Sequence, residues 1–165
     1  MTAPSEAQRL QRLHALGILD TPGDDLFRGL AEQALGVVPG TTIAAVSLVD
    51  AERQWFKTII GLGAKETSRA VSFCSHTIET EDCMVVEDAT KDERFANNPL
   101  VTSAPAIRFY AGIRLAGGVG ALCVIGTSPR RIRPGEIEKL SKIAQYVDIQ
   151  LLSHGVLANV MEPKA

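Results

Sequence analysis

Charge of one sign never accumulates in this sequence. Lys and Arg number 17 against 19 Asp and Glu, the formal net charge is −2, and like charges run no further than pairs such as Arg130-Arg131. That excludes the basic footprint of a nucleic-acid binder and a polybasic membrane anchor. Long hydrophobic runs are missing as well. The longest, around residues 43–49 and 118–126, fall well short of the ~20 residues that a membrane span needs. Near the N-terminus Glu6, Gln8, Arg9, Gln11 and Arg12 recur at regular intervals where a secretory signal would need a basic start and an apolar run. No export is expected. Cysteine is sparse: Cys74, Cys83 and Cys123 are odd in number and include no C-x-x-C, so neither a disulfide framework nor a zinc knuckle is suggested. A reducing cytoplasm is the expected location. There is no glycine-rich phosphate loop, His-x-x-x-His pair or dense carboxylate cluster, so phosphoryl transfer and metal-dependent hydrolysis lack their parts, and no metal ligand is assigned.

What is present is enough for a core: 165 residues, 45% of them hydrophobic, is the size of one ordinary domain. Leu10, Leu13 and Leu16 recur at near-helical spacing and predict an amphipathic first helix over residues 5–16, stopped by Gly17. Thr21-Pro22 reads as an N-cap and first helical residue, and Leu26, Leu30 and Ala34 carry a second helix to about Gly36. Residues 42–49 and 53–60 form a hairpin, in which Trp55, Lys57 and Ile59 alternate with Gln54, Phe56 and Thr58. A polar loop follows through Arg69, then Ser72 caps a short helix over residues 73–80, and residues 83–86 make a brief strand. Residues 87–105, rich in Asp, Asn and Pro, are too long for a turn and read as a structured, lid-like connection. Residues 107–115 and 119–127 flank Ala116-Gly117-Gly118, whose glycines supply the positive φ of a tight hairpin turn. From Pro134 a last helix runs Ile137, Leu140, Ala144, Val147 and Leu151 down one seam, and Ile143, Ile149 and Leu152 widen it toward a second face.

Hairpins rather than crossover helices join the long strands, which predicts an α+β fold: an antiparallel sheet with helices on both faces. One domain is expected over residues 1–165, with a core over about 5–152 and a frayed tail over 153–165. The initiating Met1 favours a complete chain.

Six ordered blocks then point to a family. They are residues 17–22 (GILDTP), 46–50 (VSLVD) with 53–57 (RQWFK), 72–76 (SFCSH), 92–99 (DERFANNP), 107–112 (IRFYAG) and 122–125 (LCVI). Together they resemble a bacterial GAF domain of the kind found at the input end of histidine kinases and diguanylate cyclases, over roughly residues 5–152. The resemblance implies a GAF/PAS-like arrangement in α/β/α layers: about six antiparallel strands, a small-molecule pocket between the sheet and residues 72–105, and first and last helices packed together on the opposite face. In many relatives those helices also pair two subunits. The turn at residues 116–118 is shorter than is usual there, and Gly126 stands where relatives often carry Asp.

Candidate ligand contacts are Cys74, His76, Arg94, Phe95, Arg108 and Tyr110. Cys74 and His76, two apart on a helix, point about 200° apart and cannot act as a close nucleophile and base. Arg108 and Tyr110, two apart on a strand, offer a cation and an aromatic hydroxyl on one face to an anionic or aromatic effector. The bland alternatives are a buried Cys74, a satisfied His76, an Arg108 paired with Asp88 or Asp92, a core Tyr110, a Phe95 plug and an Arg94 ion pair. Trp55 is expected at the surface, at the rim or in packing. Bilin attachment is disfavoured because the Cys-Ser-His displaces the histidine by one from the Cys-His of phytochrome-type relatives, and cyclic nucleotides because the ordered signature of their binders is missing. No catalytic residue is assigned and the cofactor is open. The expected function is a non-enzymatic small-molecule sensor acting through a homodimer of the first and last helices and a downstream signalling protein. The alternatives are a thiol-dependent enzyme like the free methionine-R-sulfoxide reductases, or a ligand-free dimerisation module.

Overall fold

The computed structural model describes residues 4–161. Helix α1, Glu6–Ala15, starts where its first-turn donors find partners: the Ser5 hydroxyl accepts from the Gln8 N–H at 3.2 Å, while the Gln8 side chain accepts from the Ser5 N–H at 3.0 Å. Gly17, at a φ of 62°, turns the chain out of it. Helix α2, Asp25–Val37, begins later than Thr21-Pro22 suggested. The Asp24 carboxylate caps it, accepting from the Leu26 N–H at 2.8 Å, because the Thr21 hydroxyl is already committed to the Ile18 carbonyl.

The strands are β1 Ile43–Val49, β2 Arg53–Ile60, β3 Glu66–Ser68, β4 Cys83–Val86, β5 Phe109–Arg114 and β6 Gly120–Gly126. They form one antiparallel sheet in the order β3-β2-β1-β6-β5-β4. Strand β3 lies in what the sequence marked as a polar loop. It is a three-residue edge strand with no apolar alternation, held by its ladder to β2 and by an Arg53–Glu66 ion pair at 3.2 Å.

The alternation expected for β2 fails halfway. Val46 pairs with Thr58 but the adjacent Ser47 pairs with Phe56, so Lys57 is the extra residue of a β-bulge. Before it, Trp55 packs under the helices and Phe56 faces the other way; after it, Ile59 joins Phe56 rather than Trp55. Lys57 itself reaches the α1–α2 loop, donating to Thr21 at 2.9 Å and to the Pro22 carbonyl, with its ammonium over the Phe27 ring. Trp55 is therefore core, only 7% exposed.

One face of the sheet carries α1, α2 and the long α5, Pro134–Met161, around Leu13, Ile18, Phe27, Leu48, Leu122 and Val147. The other is covered by short pieces: a helical turn at Arg69–Val71, α3 Cys74–Thr77, a turn at Ala89–Lys91 and α4 Pro99–Thr102. Helices thus cover both faces, as expected. Ser72 does cap α3, accepting from the Ser75 N–H at 3.1 Å, although the helix is shorter than the spacing suggested. At the β5–β6 turn Gly117 and Gly118 adopt φ values of 74° and 69°, the backbone that only glycine takes without cost. The buried Arg9 of α1 clips this turn, donating to the carbonyls of Val49 at 2.6 Å and Gly118 at 3.2 Å.

Two expectations about the helices change. The tail does not fray from residue 153: α5 stays helical to Met161, and Gly155, which looked like its end, is a packing residue that lets Leu16 approach. Residues 162–165 lie outside the described residues. In addition, α5 lies mainly against α2, and it meets the first helix only near that helix's C-terminal end, where His154 donates to the Gly17 carbonyl at 3.1 Å and Gly155 abuts Leu16.

Candidate functional site

Between the sheet and its cover lies a cavity of about 40 Å³. Its floor comes from β1, β2, β5 and β6 through Ala45, Gln54, Phe56, Tyr110 and Cys123, and its rim from the partly exposed Leu62, Thr67, Leu100 and Pro105. The lining is almost wholly apolar, and its polar groups are already joined to one another. The Gln54 side-chain oxygen accepts from the hydroxyls of Ser47 at 2.7 Å and Ser72 at 2.8 Å, and its amide nitrogen donates to Thr67 at 3.0 Å. The Tyr110 hydroxyl lies 2.8 Å from the Thr77 oxygen and 3.1 Å from the Cys74 sulfur. Tyr110 fits because the residue two further along its face is glycine: a Cβ on Gly112 would overlap the phenol hydroxyl.

Of the six candidate residues, Cys74 and Tyr110 line this cavity and the other four do not. His76 turns the opposite way from Cys74, as the helical angle required, and sets its ring edge-on to Phe95 at 4.9 Å. Phe95 is the plug of the long connection, fully buried and stacked on Phe73 with ring centroids 3.9 Å apart. Arg94 lies across the Phe95 ring and pairs with Asp92 at 2.7 Å. Arg108 precedes β5 and does pin the connection to the sheet, but through the Val101 carbonyl at 2.9 Å rather than through Asp88 or Asp92. Both carboxylates are engaged by nearer partners, Asp88 by Thr90 and Asp92 by Arg94. The cation and the hydroxyl that looked paired for a ligand are thus both committed to protein groups.

Nothing in the local pattern of residues places Cys123 in one cavity wall with Cys74, as the fold does. The one is on a central strand and the other on the cover, and only the packing of α3 on β6 brings them together. A hydrogen bond from Cys123 draws the Cys74 thiol below its ordinary range against the opposing effect of burial, with Tyr110 and Ser47 adding to it. Cys123 is pushed up by the same contact and by burial, and Tyr110 by burial and then by Cys74. Cys83 lies on the opposite face of the sheet with its thiol raised by burial and by Asp82. Among the described residues no three His, Cys, Asp or Glu side chains converge as a metal site would require, and no helix is long and apolar enough to cross a membrane.

No family model matches the chain. A cyclic di-GMP phosphodiesterase of Pseudomonas aeruginosa is 40% identical over 129 residues, which are 76% of this chain but only 22% of that protein. The chain therefore spans about a fifth of the curated relative it matches. Among solved structures, a type II free methionine-R-sulfoxide reductase from Thermoplasma acidophilum superposes with a TM-score of 0.64 at 10% identity, covering 78% of this chain and 91% of the other. The GAF domain of an Acinetobacter phosphoenolpyruvate-protein phosphotransferase superposes with a TM-score of 0.58 at 17% identity, covering 96% and 98%.

Proposed function

We propose, for a chain that has the GAF-like fold, the role of a non-enzymatic sensory domain: its cover closes over a small-molecule cavity, and the state of the cover is passed to a homodimer built on α5. The observation that carries this is a stripe of exposed apolar residues on that helix. Tyr146, Ile149, Leu152, Val156 and Val160 recur every three or four residues and are each more than half exposed, with Leu157 beside them and Leu26 of α2 at 61%. A helix seam of this spacing is buried by an equivalent seam, and a second copy of the chain supplies one across a twofold axis. The relative named as a cyclic di-GMP phosphodiesterase supports a signalling setting, with the output delivered to a downstream signalling protein or domain.

The cavity's size sets the mechanism. At about 40 Å³ it is far below the roughly 300 Å³ of an ordinary ligand site, so an organic effector enters only as the cover lifts from the sheet. Ligand affinity for the lifted state is then what shifts the population. The paired Gln54 and Tyr110 favour a second reading, a ligand-free dimerisation module whose pocket is filled by its own side chains. The reductase neighbours share the fold at low identity, which carries no reductase chemistry to this chain.

Native mass spectra of freshly purified protein separate these readings. The sensor predicts a dimer carrying an extra mass that departs on unfolding. A bare dimer, whose cover keeps the same hydrogen exchange across a panel of small metabolites, supports the module. A wild-type monomer sinks both. Leu152→Glu with Leu157→Glu should return a folded monomer by sedimentation and circular dichroism. Free methionine-R-sulfoxide with a thiol reductant should show no turnover.

A further inference from the structure

The cavity wall holds more thiol chemistry than a packed core requires. Cys74 and Cys123 are both 2% exposed and both line the cavity, one from the cover and one from the sheet. Buried cysteines in apolar surroundings are inert, but the Cys74 sulfur is not in such surroundings. The Tyr110 hydroxyl lies 3.1 Å away and 2.8 Å from the Thr77 oxygen, and Cys123 stands in the same cavity wall and the same buried cluster, on the strand against which α3 packs. Thr77, Tyr110 and Cys74 form one hydrogen-bonded chain, in which the phenol has Thr77 to accept from and the sulfur to donate to. A hydroxyl that donates to a sulfur stabilises its thiolate, the form that attacks electrophiles. The space beside it suits a small reactant: about 40 Å³ exceeds the roughly 10–15 Å³ that a water needs, and hydrogen peroxide is little larger than water. Its way in is the partly exposed rim at Leu62, Thr67, Leu100 and Pro105.

We propose that Cys74 and Cys123 are a peroxide-oxidisable dithiol that closes to a disulfide within the folded chain. This stands apart from the sensory reading and does not depend on an organic effector. The Cys74 sulfur attacks one peroxide oxygen and the O–O bond breaks. The sulfur gives up two electrons and becomes a sulfenic acid, while the leaving hydroxide departs as water with the thiol's proton. The Cys123 sulfur then attacks the sulfenic sulfur: the S–S bond forms, the S–O bond breaks, and hydroxide leaves as a second water with the Cys123 proton. Two thiols and one peroxide give one disulfide and two waters. The bond ties α3 of the cover to β6 at the centre of the sheet, so oxidation locks the cover down. Cys83 is a built-in control, because the sheet itself separates it from the pair.

The test is stoichiometric hydrogen peroxide on the fully reduced, folded protein, followed by acid quench, alkylation under denaturing conditions and intact and peptide mass spectrometry. The expected product has lost two hydrogens, carries one alkyl group on Cys83, and yields a Cys74–Cys123 crosslinked peptide. Cys123→Ser should stop at the first step, giving a dimedone adduct on Cys74. Cys74→Ser should give neither adduct nor crosslink. If either variant misfolds, Cys83→Ser still decides, since it leaves the native pair as its sole thiols and should close completely. Three alkylated cysteines after treatment, when the urea-unfolded chain oxidises under the same conditions, would overturn the proposal, as would a bond to Cys83 or a first adduct on Cys123.

Discussion

The two faces of the sheet solve the problem of burial in opposite ways. The helix face is apolar and continuous, packed under helices of 13 and 28 residues whose seams repeat at the helical period. The cover face is built from pieces of three and four residues pinned one by one: Phe95 on Phe73, Arg108 on the Val101 carbonyl, Asn98 on the Val71 carbonyl, Ser72 on Gln54. Long helices share their stability cooperatively along a seam, whereas short pinned segments open separately. The first face holds the fold and offers a surface outward; the second keeps a cavity, a phenol and two thiols inside a layer that can move.

Breaking the helix face should cost most. Phe27→Ala removes a fully buried ring from under Lys57, with an expected loss of about 3–5 kcal/mol, read as a global fall in the urea midpoint. Phe95→Ala sharpens the contrast. Its loss should stay below about 3 kcal/mol because the connection relaxes locally. Hydrogen exchange should rise across residues 61–107 while α2 and α5 keep their protection; equal loss of protection on both faces would erase the distinction. Gly112→Ala forces the Tyr110 ring off its seat for about 1–2 kcal/mol of overpacking. In a redox titration it should also slow Cys74 oxidation by displacing the phenol.

The smallest effect concerns the clasp between the faces. Glu6 of α1 bonds Arg9 at 2.8 Å and Arg69, the first residue of the cover, at 2.6 Å. The Arg9 bond, and then the Arg69 bond, lower the Glu6 carboxyl from its ordinary 4.5 to about 2. A carboxylate whose pKa falls on folding stabilises the folded state above its unfolded pKa and loses that contribution as the pH drops through the folded value. Acidification from about pH 5 toward pH 2 should therefore loosen α1 from the Arg69 turn, and Glu6→Gln should flatten that part of the acid profile. Half-exposed as it is, Glu6 gives a modest effect that salt reduces.

The hairpins were legible in the sequence because their strands carry β-branched and apolar runs bounded by turn residues. Residues 53–60 and 83–86 are strands to the residue. The order of blocks was legible too, and with it the GAF-like layers. Strand β3 was not, since an edge strand of Glu66, Thr67 and Ser68 owes its existence to the neighbour it pairs with. The start of α2 misled because the Thr21 hydroxyl turns back to the Ile18 carbonyl and leaves the cap to Asp24, three residues on. At the site, chain spacing separated Cys74 from His76 correctly, and the structural alternatives for Phe95 and Arg94 match their observed contacts. The meeting of Cys74 with Cys123 is a product of α3 settling on β6, and local pattern cannot encode it.

The bulge at Lys57 acts on β2 as a frameshift acts on a message. A strand is written in a two-letter alphabet, in and out, and one added residue reverses the reading of everything on one side of it. Deleting Lys57 would leave every remaining residue of β2 with its own chemistry and half of them with the wrong address: either Trp55 turns toward the cavity, or Ile59 turns toward the helices. A related chain without that extra residue must therefore carry the opposite pattern through one half of the strand, and an alignment that matches its apolar residues without a gap would pair cavity positions with core positions.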